Sequence, residues 1–303
     1  MPLPVLKAVR DHLDLEARLG GYEAEAEASA RLSAVYTSIA QLIGSNSDEI
    51  ALMENATHSW EVAFHSAVLG LGLGPGDVVL TGMTEYCSNH IAMIQLSRRH
   101  GFELKAVPGD DSGQISLKAL SRMISPAVKL ITIVQVPTNG GLVNPAEDVG
   151  KLARRAGIPY FLDCAQSAGQ LPLDVGELGC DVLVSTGRKF LRGPRGTAFL
   201  YIRTSILDRL EPPTLNMKGT RLIAPDDYEV LGKASRFEVY EANVAAQLGL
   251  GAAVNYALDI GLETIQERVS DLAAILRQEL AGISGIKTRD RGDRLSGIVV
   301  FSL

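Results

Sequence analysis

From residue 49 onward, short β-branched runs alternate with amphipathic stretches, and this alternation limits the fold more than any other feature of the chain. Strands are predicted at 49–53, 77–80, 103–107, 129–136, 159–163, 181–185 and 197–202, with helices at 59–69, 89–100, 117–124 and 146–156. Such alternation specifies an α/β fold, a mostly parallel sheet with helices on both faces. Ligands of these sheets sit outside the carboxyl ends of the strands. Asp163 ends one predicted strand, and Ser185 and Thr186 end the next, so separate residues converge on one crevice.

The run Gly70-Leu71-Gly72-Leu73-Gly74-Pro75-Gly76 invites a dinucleotide-binding reading, but it follows a helix and precedes a strand, the reverse of what that motif requires. A helix cap and turn fit better. Past residue 243, two helical patterns at 244–259 and 262–280 follow each other without a strand, and short extended segments at 285–288 and 297–301 come next. Residues 1–235 are therefore expected to form a large domain with an N-terminal helical segment. Residues 236–303 are expected to supply an interdomain helix and the beginning of a small C-terminal α+β domain.

A chain of 303 residues, 46% hydrophobic and 21% charged, has enough apolar material for a large core. The net charge of −6, with lysine and arginine dispersed, gives no basic stripe and argues against nucleic acid as a partner. Cys87, Cys164 and Cys180 form no Cys-x-x-Cys pair, and His58, His65, His90 and His100 form no ligand set, so no metal site is expected. Without a disulfide framework, signal-peptide core or membrane-length apolar run, the expected protein is soluble and cytoplasmic.

Lys189 follows Asp163 by 26 positions, in Ser185-Thr186-Gly187-Arg188-Lys189-Phe190. A lysine amine forms a Schiff base with an aldehyde, and a carboxylate holds a ring nitrogen protonated, which together describe a pyridoxal phosphate (PLP) site. Taken singly, each residue has a plainer reading. Strand-end aspartates cap turns, and lysines in basic loops such as Arg188-Lys189 with Arg192 and Arg195 are solvated surface charges.

The order of these residues, together with Asn55-Ala56-Thr57-His58, Glu85-Tyr86-Cys87-Ser88-Asn89, Gly193-Pro194-Arg195-Gly196 and Glu241-Ala242-Asn243, resembles the class V aminotransferase family of fold-type I PLP enzymes, which includes the cysteine desulfurases. Gly20-Gly21-Tyr22, the Gly-Pro-Arg-Gly turn and Glu-Ala-Asn-Val-Ala-Ala are most similar to the carbon–sulfur lyases of ergothioneine biosynthesis. The resemblance implies a fold-type I transferase fold and pyridoxal 5'-phosphate as cofactor. It makes Lys189 the Schiff-base lysine and Asp163 the partner of the pyridine nitrogen. Gln166 would donate to the cofactor's phenolic oxygen, with Thr138 standing where many relatives carry asparagine. Ala56 and Thr57 at a helix N-terminus, with Thr186 and Arg188, would hold the phosphate. Arg188 replaces a histidine common in desulfurases, putting a fixed charge in place of a titratable one. Tyr86 occupies the place of a histidine stacked on the ring, and an aromatic face can stack equally well. Glu241 and Asn243 match a segment that reaches across a homodimer interface toward the neighbour's phosphate. Cys87 and Cys164 read as small core fillers.

The resemblance implies an enzyme acting on a small amino-acid substrate, a carbon–sulfur β-lyase or a cysteine desulfurase-like protein. An aminotransferase or amino-acid epimerase shares every cofactor residue, and an inactive PLP-binding paralogue acting as a dimeric interaction module stands as the non-enzymatic alternative. The substrate-carboxylate arginine and the persulfide cysteine of such relatives are expected beyond Leu303.

Overall fold

The computed structural model describes residues 1–303. Two helices come first, α1 (Leu3–Leu19) and α2 (Gly21–Ile43), joined at Gly20 with φ 94°. The alternating region then runs β1 (Ile50–Met53), α3 (Ala56–Gly70), β2 (Val78–Gly82), α4 (Cys87–His100), β3 (Glu103–Val107), α5 (Leu117–Met123), β4 (Val128–Val134), α6 (Ala146–Ala156) and β5 (Tyr160–Asp163). It continues through α7 (Val175–Leu178), β6 (Val182–Thr186), β7 (Ala198–Ile202) and α8 (Thr204–Leu207). A hairpin of β8 (Thr220–Ala224) and β9 (Asp227–Val230) follows, then α9 (Val244–Ile260), α10 (Leu262–Ala281) and the short pair β10 (Lys287–Thr288) and β11 (Phe301–Ser302).

The seven predicted strands form one sheet in the order β1-β7-β6-β5-β4-β2-β3. β7 runs antiparallel to both neighbours, and the pairs from β6 to β3 are parallel. Strand side chains alternate between faces, so consecutive residues enter different cores. Tyr160 and Leu162 of β5 pack with Ile39 and Ile43 of α2, whereas Phe161 between them joins Trp60 and Phe64 of α3. Burial on both faces explains why these strands read as continuous apolar runs. β3 sits at the edge, and most of its residues are at least partly exposed.

α3 begins three residues earlier than its apolar pattern predicts, because Asn55 Oδ1 accepts the His58 N–H at 2.9 Å and caps the helix at Ala56. The glycine-rich run after α3 is a turn, with Gly72 and Gly76 at φ 65° and 93°. The β8–β9 hairpin is absent from the sequence expectation. Its residues are exposed, so no core-facing periodicity marks them, although Pro225-Asp226 is an ordinary turn signal.

Strand order positions the crevice. The chain moves outward from β2 to β3, then returns to place β4 on the other side of β2, so the direction of strand addition reverses there. Loops leaving β2 and β4 diverge at such a point and open a cleft at the carboxyl ends.

Candidate active site

Lys189 is presented by a turn closed on itself at the end of β6. Gly187 N–H donates to the Thr197 carbonyl at 2.9 Å, Arg192 N–H to the Lys189 carbonyl at 2.9 Å, and Gly193 N–H to the Gly187 carbonyl at 2.7 Å. Gly187 is needed here for close approach and not for a left-handed backbone. A Cβ on it would press on Thr197 Oγ1 and lie 2.8 Å from Leu250 Cδ1. The left-handed residue of the turn is Arg192, at φ 59°, whose guanidinium lies 5.1 Å from the centre of the Tyr256 ring.

Asp163 ends β5 in the neighbouring strand and is 4% exposed, so every hydrogen bond to it counts. Its Oδ1 accepts the Ala165 N–H at 2.8 Å, and its Oδ2 accepts from Asn89 Nδ2 at 2.8 Å. Burial pushes the Asp163 carboxyl up, partly offset by these two bonds and by the charge of Lys189. Burial also pushes the Lys189 ammonium down, with Arg188 adding to the effect and Asp163 opposing it.

These two side chains line one crevice with Asn55, Ala56, Thr57, Tyr86, Asn89, Val134, Thr138, Ala165, Gln166, Thr186 and Arg188. Gln166 Nε2 and Thr138 Oγ1 are 3.5 Å apart across its mouth. Thr186 Oγ1 donates to the Thr197 carbonyl at 3.1 Å, which fixes its rotamer. The first N–H groups of α3, on Ala56 and Thr57, have no acceptor in the protein, as expected for a helix N-terminus facing a ligand.

Glu241 and Asn243 lie apart from the crevice within the chain. They line a separate cavity with Tyr22, Leu52, Glu54 and Tyr240, and Asn243 Oδ1 caps α9 by accepting the Ala246 N–H at 2.9 Å. Another cavity, at the amino ends of β4 and β5 between Ile124, Val128, Ile158 and Arg209, gathers no carboxylate and lies away from the lysine.

Glu85 and Asn89 belong to the motif Glu85-Tyr86-Cys87-Ser88-Asn89, in which the sequence reading gave them no role. Asn89 bridges Asp163 to Glu85, whose Oε1 accepts both Asn89 Nδ2 at 3.2 Å and the Tyr86 N–H at 3.0 Å, while Oε2 accepts from Thr81 Oγ1 at 3.1 Å. The four-residue spacing of Glu85 and Asn89 was the available signal.

The donor set fits pyridoxal phosphate part by part. A buried carboxylate with lone pairs to spare suits a protonated ring nitrogen, free backbone N–H groups with Thr57 and Arg188 suit a phosphate, and a lysine with a destabilised ammonium suits an aldehyde. Fold and site define a PLP-dependent enzyme of fold type I. The chain belongs to the class V aminotransferase family, whose model matches residues 1–303.

A probable cysteine desulfurase from Methanothermobacter thermautotrophicus is 28% identical over 305 residues, covering 100% of this chain and 75% of the relative. A probable cysteine desulfurase from Synechocystis sp. is 32% identical over 272 residues, covering 88% of this chain but 64% of the relative. The apo structure of the cysteine desulfurase from Thermococcus onnurineus NA1 superposes with a TM-score of 0.89 at 26% identity, over 100% of this chain and 76% of that one. The chain thus spans about two thirds to three quarters of these proteins' lengths. The expected closeness to the ergothioneine-pathway lyases is not shown by these relatives. No helix of the chain is long and apolar enough to cross a membrane.

Proposed function

We propose that the chain cleaves the carbon–sulfur bond of cysteine or a close analogue, as a cysteine desulfurase-like enzyme. The observation that carries this reading is the placement of Asp163 at the end of β5 and Lys189 in the turn after the adjacent β6, both lining one crevice, in a chain whose relatives are described as cysteine desulfurases. When bound, pyridoxal phosphate withdraws electrons from the α-carbon of the amino acid it carries. The chain's own residues do the rest. Lys189 Nζ holds the cofactor, and its destabilised ammonium suits it to take the substrate's α-proton. Asp163 keeps a proton at the ring nitrogen. The Ala56 and Thr57 N–H groups, the Thr57 hydroxyl and Arg188 would bind the phosphate, Gln166 and Thr138 would donate toward the phenolic oxygen, and Tyr86 would stack on the ring. Glu241 and Asn243, outside the crevice, are read as contacts to a second subunit of a homodimer.

The test is product analysis with L-cysteine and a thiol reductant. Sulfide with alanine, lost in Lys189→Ala, is the expected result. Pyruvate with ammonia would move the reaction to β-elimination, and amino transfer to an added keto acid without sulfide would overturn the proposal.

A further inference from the structure

Asn89 Nδ2 is shared between two carboxylates. One bond runs to Asp163 Oδ2 at 2.8 Å and the other to Glu85 Oε1 at 3.2 Å, which uses both amide hydrogens. Asn89 is 1% exposed, so it cannot exchange either partner for water without opening the site. The same Glu85 oxygen takes the Tyr86 N–H, and the other takes the hydroxyl of Thr81, itself fully buried in β2. Glu85 therefore ties together the end of β2, the first turn of α4, the crevice-lining Tyr86 and the carboxylate at the end of β5.

We propose that Glu85 is a positioning residue that acts through Asn89 on Asp163, fixing which Asp163 oxygen faces the crevice and adjusting how strongly that oxygen holds a proton at a bound ring nitrogen. This deepens the proposed function and rests on the assignment of Asp163 to the ring nitrogen. Two carboxylates joined by one amide repel when both are ionised, and a cation in the crevice relieves that repulsion. An ionised Glu85 thus makes Asp163 a better partner for a cationic ring, and a neutral Glu85 makes it a poorer one. The three hydrogen bonds to Glu85 tie it to Thr81, Tyr86 and Asn89, so its influence passes through Asn89 and Tyr86.

The charge of Glu85 is free to change within the physiological range. Burial and the nearby Asp163 raise its carboxyl to about 7, against the pull of its bonds from Tyr86, Asn89 and Thr81. The titratable group facing it is Asp163 on β5, which interacts in turn with Lys189.

The variant that isolates charge from shape is Glu85→Gln, whose amide oxygen can keep the Tyr86 and Asn89 bonds while its NH2 group donates to Thr81 Oγ1. The first readout needs no cofactor. In protein labelled with 13C at aspartate Cγ, the Asp163 signal, assigned by its loss in Asp163→Asn, is expected to shift with a midpoint near pH 7. That step is expected to vanish in Glu85→Gln. Thr81→Val, which deletes one bond to the ionised carboxylate, is expected to move the midpoint to higher pH. The second readout is the visible absorbance of the cofactor-loaded protein against pH, where the wild type shows a step that Glu85→Gln lacks. Identical Asp163 titrations and identical absorbance profiles in wild type and Glu85→Gln would overturn the proposal. A pyridoxyl label on a lysine other than Lys189 would instead overturn the functional reading and leave the cofactor-free titration to decide the Glu85–Asp163 coupling alone.

Discussion

Gly297 donates its N–H to Gln170 Oε1 at 2.9 Å, and Gln170 Nε2 donates in turn to the Gln166 carbonyl. A fully buried glutamine thus joins the C-terminal segment to the loop that carries Gln166 into the crevice. Gln170→Ala leaves the Gly297 N–H and the Gln166 carbonyl unpaired, with an expected cost of about 1–3 kcal/mol each way the site fails to rehydrate. Urea unfolding should show that loss, and cofactor affinity should fall with it. Unchanged stability and affinity would mean that water replaces both bonds.

Asp163→Asn keeps the shape of the carboxylate and removes its charge. Cofactor binding is expected to survive, while turnover falls severely because the electron sink acts chiefly in the transition state. Near wild-type turnover in this variant, measured alongside the cofactor content, would assign Asp163 a structural role only.

Gly187→Ala places a methyl group against Thr197 Oγ1 and 2.8 Å from Leu250 Cδ1. Overpacking of this kind costs about 1–3 kcal/mol and shifts the backbone that presents Lys189. Lower unfolding temperature together with weaker cofactor retention is the expected outcome. Thr197→Ser paired with it, which leaves the facing hydroxyl in place but removes its methyl, should recover little of the loss.

Stability should depend on pH through Glu85. Its carboxyl sits at about 7 in the folded chain against an ordinary value of 4.5, so the folded state binds more protons than the unfolded state between those values. The slope of unfolding free energy against pH is then negative, and this contribution to stability is lost as pH rises from about 4.5 through about 7. Urea midpoints at a series of pH values should decline across that window in the wild type and decline less in Glu85→Gln. Equal slopes would place the ionisation elsewhere.

The parts of the site carried by local pattern are legible in the sequence. β5 and β6 announce themselves as apolar runs, and Asp163 and Lys189 follow at their ends, where a parallel sheet gathers ligands. Asn55 marks the start of α3 through its cap, though the apolar periodicity begins only later. The Asn89 contact is not legible in this way, because its partner Asp163 is 74 positions away and only the pairing of β2, β4 and β5 brings the two together. The reason for Gly187 is hidden for the same cause, since Leu250 arrives from α9. The β8–β9 hairpin is mostly exposed and has no fully buried residue, so no core-facing periodicity betrays it.

The central assignment is tested most directly by loading the protein with pyridoxal phosphate, reducing it with borohydride and mapping the labelled peptide. A single pyridoxyl group on Lys189, with visible absorbance that Lys189→Ala lacks, is the predicted result. A label on any other lysine, or full absorbance in Lys189→Ala, would contradict it.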